Sequence, residues 1–251
     1  MSQWLFDLGN TRLKCVRLLE DGRLSEVVAL GHDASGFVDA LRAHLPAKAS
    51  SAVLSSVASP VLTAAVVELL TQRFQRISQV RSQARFGGLR IAYPQPEKLG
   101  VDRFLALLAA HARGGNCVVA GVGTAVTVDL LAADGRHLGG RIAPSPTLMR
   151  QALHQAAAHL PLEGGVYAEF AQDTEDALAS GCDGAALGLI DRSLREARQY
   201  LDGPPRLLLH GGGAGLLSPH LPGAELAPSL VLEGLARWSN PGGAMPDAIE
   251  P

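Results

Sequence analysis

Trp4-Leu5-Phe6-Asp7-Leu8-Gly9-Asn10-Thr11-Arg12-Leu13-Lys14 opens the chain with an apolar run, a glycine turn and a second run that alternates in character through Cys15, Arg17 and Leu19 toward Asp21-Gly22. A period of two broken by Gly and Asn predicts strand, tight turn, strand, turn. Far downstream, Cys117 to Ala120 is another short apolar strand. It is followed by Gly121-Val122-Gly123-Thr124 and then by Val126-Thr127-Val128-Asp129-Leu130, running to Asp134-Gly135. Laying Asp7 on Gly121 sets Gly9 on Gly123 and Asn10 on Thr124. The closing D-G-R triplets, Asp21 to Arg23 and Asp134 to Arg136, then match after a slip of one residue. A duplicated domain is the economical explanation, with the boundary near Arg113 to Asn116, where Gly114-Gly115 interrupts a helical pattern.

Working outward, Val53 to Ser56 is β-like, Pro60 to Phe74 has helical spacing through Leu62, Val66, Leu69 and Leu70, and Ile77 to Val80 reads as another strand. Phe104 to Ala112, Pro146 to His159, Asp173 to Leu201 and Leu230 to Trp238 read as helices. Arg206 to His210 is a strand ending in Gly211-Gly212-Gly213. The tail from Ser239 to Pro251 opens with the turn-forming Asn240-Pro241-Gly242-Gly243 and reads as frayed.

Composition narrows the function classes. At 251 residues the chain can bury a sizeable core without disulfides or metal, and 47% hydrophobic with 18% charged residues is ordinary globular usage. A net charge of -2 offers no footprint for neutralising many phosphates, so nucleic acid is not expected as a partner. No stretch reaches the ~20 apolar residues of a membrane span, and the N-terminus lacks the pattern of a secretory signal. Cys15, Cys117 and Cys182 are dispersed, odd in number and without ligand spacing, which fits inert thiols in a reducing, cytoplasmic setting. The eight histidines show no metal spacing either.

Glycine turns bind phosphate chains because successive backbone N–H groups can approach the oxygens, while a nearby carboxylate can hold Mg²⁺ directly or through water. Asp7, Gly9, Asn10, Thr11 and Lys14 supply those elements in one hairpin, although an ordinary D-x-G turn would look the same. The second turn, with Gly123 and Thr124, would add another such loop, with Asp129 as a further carboxylate. Neither turn is a Walker A loop, since no G-K-[ST] follows, nor a dinucleotide fingerprint, since a β-like run follows Gly123.

Four motifs occur in order: D-x-G-N-T-x-x-K (Asp7 to Lys14), G-V-D-R before a helix (Gly100 to Arg103), G-T-A-x-T-x-D (Gly123 to Asp129), and Gly139-Gly140-Arg141-Ile142-Ala143-Pro144. In order and spacing the chain resembles type III pantothenate kinase, from Asp7 to about Gly234. The resemblance implies an α/β fold of two duplicated ribonuclease-H-like domains of the actin-like ATPase superfamily, residues 1–113 and 114–251, with the active site in the cleft between them. It also implies a homodimer. The implied activity is ATP-dependent phosphorylation of pantothenate to 4'-phosphopantothenate, the first step toward coenzyme A. Asp102 would be the catalytic base, and its bland reading is a helix cap. Gly100, Val101, Arg103, Tyr93 and Thr174 would line the pantothenate site. Arg103 could instead make a solvent-exposed salt bridge, and Thr174 could be only an N-cap. Asp7, Gly9, Asn10, Thr11, Lys14, Gly123 and Thr124 would hold ATP, with Asp7 and Asp129 organising Mg²⁺.

One position departs from the family pattern. Where most members begin the mid-chain motif with an aspartate that helps bind a monovalent cation such as K⁺ or NH₄⁺, this chain has Gly121. The expectation is a Mg²⁺-dependent enzyme that responds weakly to K⁺. Two rivals stay open: a related kinase with another small acceptor, and a nucleotide-binding accessory or regulatory protein without kinase activity.

Overall fold

A computed structural model describes residues 3–32 and 36–240; the predicted frayed tail falls, beyond Asn240, outside the described residues. The chain forms two compact units. The first holds the chain up to Gly114 together with Asp134–His137 and the segment from Ser229 onward; the second holds Gly115–Ala133 and Leu138–Pro228.

In the first unit, β1 (Gln3–Leu8), β2 (Arg12–Leu18) and β3 (Val28–Gly31) form an antiparallel meander, and β4 (Ala49–Ser56) and β5 (Phe74–Gln79) extend the sheet in parallel on the other side of β1. Helix α1 (Phe37–His44) joins β3 to β4, and α2 (Pro60–Thr71) joins β4 to β5. A two-stranded ribbon, β6 (Arg85–Phe86) and β7 (Leu89–Arg90), precedes α3 (Val101–Ala112). The core packs Phe6, Leu8, Leu13, Leu41, Leu54 and Leu70, all at 0% exposure. Burying a leucine of this kind stabilises the unit by roughly 2 kcal/mol.

The second unit repeats the plan. The order β10-β9-β8-β11-β12, formed by β8 (Cys117–Val122), β9 (Ala125–Leu131), β10 (His137–Pro144), β11 (Arg206–His210) and β12 (Ala224–Leu226), matches β3-β2-β1-β4-β5 strand for strand. Here too the first hairpin is antiparallel, and β11 and β12 add in parallel. Between β10 and β11 the chain runs through α4 (Pro146–Ala156) and the long α5 (Thr174–Ala197), and a short α6 (Ala214–Leu217) follows β11. Val118, Ala120, Val126, Ile190, Leu209 and Leu217 sit in its core.

The terminal helix α7 (Leu230–Ser239) packs on α3 of the first unit. Gly234 makes this approach possible, because a Cβ there would run into the Leu105 carbonyl. Arg113, just past α3, grips Glu233 with contacts of 2.7 and 2.8 Å, and Glu233 is only 1% exposed. A guanidinium fork on a buried carboxylate satisfies a charge that would otherwise be costly to bury.

Element boundaries differ from the sequence reading at several places. The helix predicted to reach Phe74 ends at Thr71, because Phe74 starts β5 and meets Phe6 edge-on at 5.8 Å. Apolar spacing alone cannot separate a helix end from a core strand. Helix α3 begins at Val101, three residues before the predicted start, so Asp102 lies in its first turn and Gly100 takes the cap position. Helices α4 and α5 stop at Ala156 and Ala197, short of His159 and Leu201. The strands β3 and β12 and helix α1 carried no clear sequence signal.

Candidate active site

Asp7 occupies β1 itself, one residue before Leu8 ends the strand, so the predicted turn begins later, at Gly9. Its row across the sheet is set by register: Lys14 lies opposite on β2, and Ser55 lies opposite on β4. Paired positions share a face. The buried Ser55 hydroxyl donates to Asp7 Oδ1 at 2.9 Å. Burial pushes the Asp7 carboxyl up to about 6; the Ser55 hydrogen bond opposes this, the nearby Asp102 charge adds to it, and Lys14 pulls it back. Asp7 and Asp102 are thus electrostatic neighbours, although 95 residues separate them in the chain.

The loop after Asp7 is held from both sides. Gly9 N–H donates to the Arg12 carbonyl at 3.0 Å, and the His32 ring bonds the Gly9 carbonyl at 2.9 Å. Asn10 and Thr11 are exposed at the tip. His32 and Ser55 were missed in the sequence; neither carries a motif, and only the sheet register brings them to the turn.

G-V-D-R has a steric logic. The Asp102 carboxylate curls back so that Oδ1 accepts the Arg103 backbone N–H at 2.9 Å, and a Cβ on Gly100 would stand 2.5 Å from that same oxygen. Glycine makes room for the carboxylate. Val101 is buried. Arg103 is 5% exposed, which overturns the reading as a solvent-exposed salt bridge. Its Nη1 donates to the Tyr93 hydroxyl at 3.2 Å, and its guanidinium carbon lies 5.8 Å from the Tyr93 ring centre. Tyr93 in turn stacks on His137 at 5.9 Å. Asp7, Asp102, Arg103 and Tyr93 all belong to the first unit.

In the second unit, the row across β9, β8 and β11 is Thr127, Gly121 and His210. Gly123 and Thr124 form the exposed turn, closed by Gly123 N–H to the Ala125 carbonyl at 2.9 Å. Asp129 is 2% exposed, opposite Val119 and on the same side of β9 as Thr127. Gly211, at φ +93°, turns the chain after β11 against Val122, where a Cβ would strike backbone. Thr174 is exposed as the first residue of α5. The cap is Asp173, whose carboxylate accepts the Asp176 N–H at 2.9 Å, so the reading of Thr174 as N-cap is corrected by one position.

Two grooves among the described residues are lined by other side chains. One is lined by residues such as Trp4, Arg17 and His44; the other, about 320 Å³, lies along β9, β10 and α5 beside Arg141, whose Nη1 donates to Ser193 at 2.7 Å. The three cysteines are buried and form no disulfide, and burial pushes the Cys15 thiol up to about 11, consistent with an inert packing role.

Two five-stranded sheets of identical order give the chain a duplicated α/β fold of the actin-like kind. A putative 2-dehydro-3-deoxygalactonokinase from Sinorhizobium meliloti aligns with 99% of this chain and 100% of its own at a TM-score of 0.58 and 18% identity. A conserved putative Baf family transcriptional activator from Campylobacter jejuni aligns with 96% of this chain and 100% of its own at a TM-score of 0.64 and 20% identity. At these identities the likeness concerns the fold. Within the class, a family model for type III pantothenate kinase matches residues 4–196. Type III pantothenate kinases from Stenotrophomonas maltophilia and Xylella fastidiosa are 55% and 54% identical over 239 residues, covering 95% of this chain and 98% of each relative. The chain belongs to the type III pantothenate kinase family.

Proposed function

We propose that this protein transfers the γ-phosphoryl group of ATP to the hydroxyl of pantothenate, releasing ADP and 4'-phosphopantothenate at the entry to coenzyme A synthesis. The observation that supports this reading is that Asp7 and Asp102 are electrostatic neighbours in the same unit as the buried Arg103–Tyr93 contact, which are the side-chain types that metal binding, proton acceptance and carboxylate binding call for. Phosphoryl transfer asks chiefly for positioning and charge stabilisation.

The residues fit Mg²⁺. Asp7 offers hard oxygen donors, and its carboxyl is raised by burial and by a second carboxylate, a situation that a divalent cation relieves. Among the described residues no three His, Cys, Asp or Glu side chains form a cage, so protein ligation would come from Asp7, with Asp129 ordering the water shell. When bound, Mg²⁺ neutralises charge on the phosphate oxygens.

The chain's own groups supply the rest. Gly9, Asn10 and Thr11 offer backbone and side-chain donors to phosphate oxygens, as do Gly123 and Thr124 from the second hairpin, and Lys14 adds a cation beside Asp7. Asp102 accepts the proton of the acceptor hydroxyl. Arg103 binds the pantothenate carboxylate, oriented by Tyr93, with Gly100, Val101 and Thr174 completing the acceptor site. With Gly121 in place of a carboxylate, the enzyme needs little from K⁺ or NH₄⁺.

A homodimer is supported by apolar side chains left in water on the second unit, among them Ile142 at 66%, Val166 at 74% and Phe170 at 95% exposure. Cytoplasmic placement is supported by three buried cysteines that form no disulfide, and no helix among the described residues is long and apolar enough to cross a membrane.

The test is ADP release measured by a coupled assay, with pantothenate against a panel of small alcohols and sugars. Pantothenate alone should drive turnover. Preference for another acceptor would leave a related kinase, and nucleotide binding with no turnover on any acceptor would leave an accessory protein.

A further inference from the structure

The duplicated sheets place the Lys14-Asp7-Ser55 row and the Thr127-Gly121-His210 row at equivalent positions, yet their chemistry is opposite. The first row carries a carboxylate at its centre. The second has no side chain at its centre, and its flanking groups fill the space. From the point where a Cβ on Gly121 would stand, His210 Nε2 is 2.9 Å away and Thr127 Oγ1 is also 2.9 Å away. An imidazole can lie over the β8 backbone here only because position 121 is glycine.

His210 is also the last residue of β11. The chain then reverses through Gly211, and Gly213 N–H donates to the Val122 carbonyl at 3.0 Å, seating this turn directly on the β8–β9 hairpin. The imidazole therefore lies at the carboxyl ends of two parallel strands, between two glycine turns. Ligands of open α/β sheets gather at such strand ends. Gly121 thus lets an imidazole and a hydroxyl sit side by side at this strand end, two groups able to donate to an anion, whereas the equivalent row in the first unit presents a carboxylate suited to a cation.

We propose that His210, with Thr127, contacts a phosphate group of the nucleotide directly by hydrogen bonding. This inference rests on the kinase reading above and adds to its nucleotide site one residue, His210, that lies outside the four motifs.

The test uses the non-hydrolysable analogue AMPPNP with Mg²⁺ on the whole protein. Calorimetry on wild type, His210→Ala and His210→Gln should show a loss of roughly tenfold or more in affinity for Ala, with Gln, which keeps a donor, recovering most of it. In steady-state assays His210→Ala should raise KM for ATP and leave KM for pantothenate unchanged. The His210 imidazole ¹H–¹³C signal of the wild type, identified by its disappearance in His210→Gln, should shift when AMPPNP is added. An Ala variant that binds within about twofold of wild type, or a His210 signal that stays put under saturating AMPPNP, overturns the proposal. If Ala does not fold, the wild-type signal and the Gln variant decide. Wild-type protein that turns over pantothenate while His210 is silent sinks only this inference; wild-type protein that does not bind AMPPNP sinks the kinase reading with it.

Discussion

The β1–β2 and β8–β9 hairpins share a plan but differ in length, chemistry and surroundings. Leu8 pairs with Leu13 around a four-residue connection, whereas Val122 pairs with Val126 around three, so one residue is missing from the second turn. That deletion accounts for the one-residue slip needed to align the D-G-R triplets. The triplets themselves are built alike: Asp21 accepts the Arg23 N–H at 3.0 Å and its Nε at 2.8 Å, while Asp134 accepts the Arg136 N–H at 3.1 Å and its Nε at 2.8 Å. Gly22 and Gly135 sit at φ +85° and +84°. Around one turn there is open space, and around the other Gly88 and His111 press close. Duplication preserved the backbone device, and each copy then took its own partners. At the strand ends the same process left a carboxylate row in one unit and an imidazole–hydroxyl row in the other.

The largest effect should come from the carboxylate half. Asp102→Asn is expected to keep AMPPNP affinity and lower kcat by on the order of 10³-fold, measured by calorimetry and coupled assay on the same preparation. Equal loss of binding and turnover would make the residue structural. Next, Asp7→Asn should lower kcat/KM for MgATP by roughly 10²-fold while raising the melting temperature.

The sign for Asp7 follows from its raised carboxyl. The folded state holds this proton up to about pH 6, and the unfolded chain releases it near the ordinary carboxyl value of 3.8. Ionising Asp7 therefore costs the fold stability progressively as pH rises through that window, and above about 6 the cost is fully present. The melting gain of Asp7→Asn should be larger at neutral pH than near pH 4. Wild-type kcat/KM for MgATP should fall as pH drops through about 6, where Asp7 of the free enzyme protonates and no longer offers Mg²⁺ a charged oxygen. An Asn variant with the same thermal gain at both pH values would show that Asp7 is not desolvated.

The paired glycines test the surroundings directly. Gly22→Ala should cost about 1 kcal/mol, from left-handed backbone strain alone. Gly135→Ala should cost about 3 kcal/mol, because its Cβ would also strike the Gly88 carbonyl. Denaturant midpoints on the two variants measure the gap, and equal losses would mean that the second turn yields as freely as the first. The smallest effect concerns cations: K⁺ titrated into a Mg²⁺-saturated assay should change turnover only slightly, and a steep rise from near-zero activity would break the contrast drawn between Asp7 and Gly121.

Much of the fold was legible because hairpin strands alternate with period two and glycine turns interrupt them at readable places. Strand β11 was predicted at its observed bounds, Arg206 to His210, since an apolar run stops at three glycines. Strand β5 was read three residues late because Phe74 satisfies both a helical stripe and a core strand. The site divides similarly. Asp7, Asp102 and Arg103 stand out in motifs, whereas Ser55, His32 and His210 gain their roles from neighbours far away in sequence.

By itself, the order of residues determined the duplicated hairpins, the glycine turns and the family, because these depend on local conformational limits and on short contiguous motifs. Only the folded sheets decided that Ser55 donates to Asp7, that Asp102's charge reaches it, that Arg103 is buried against Tyr93, and that His210 covers Gly121. Strand register and burial create those relations. They depend on which distant segments lie side by side, and no local pattern encodes that.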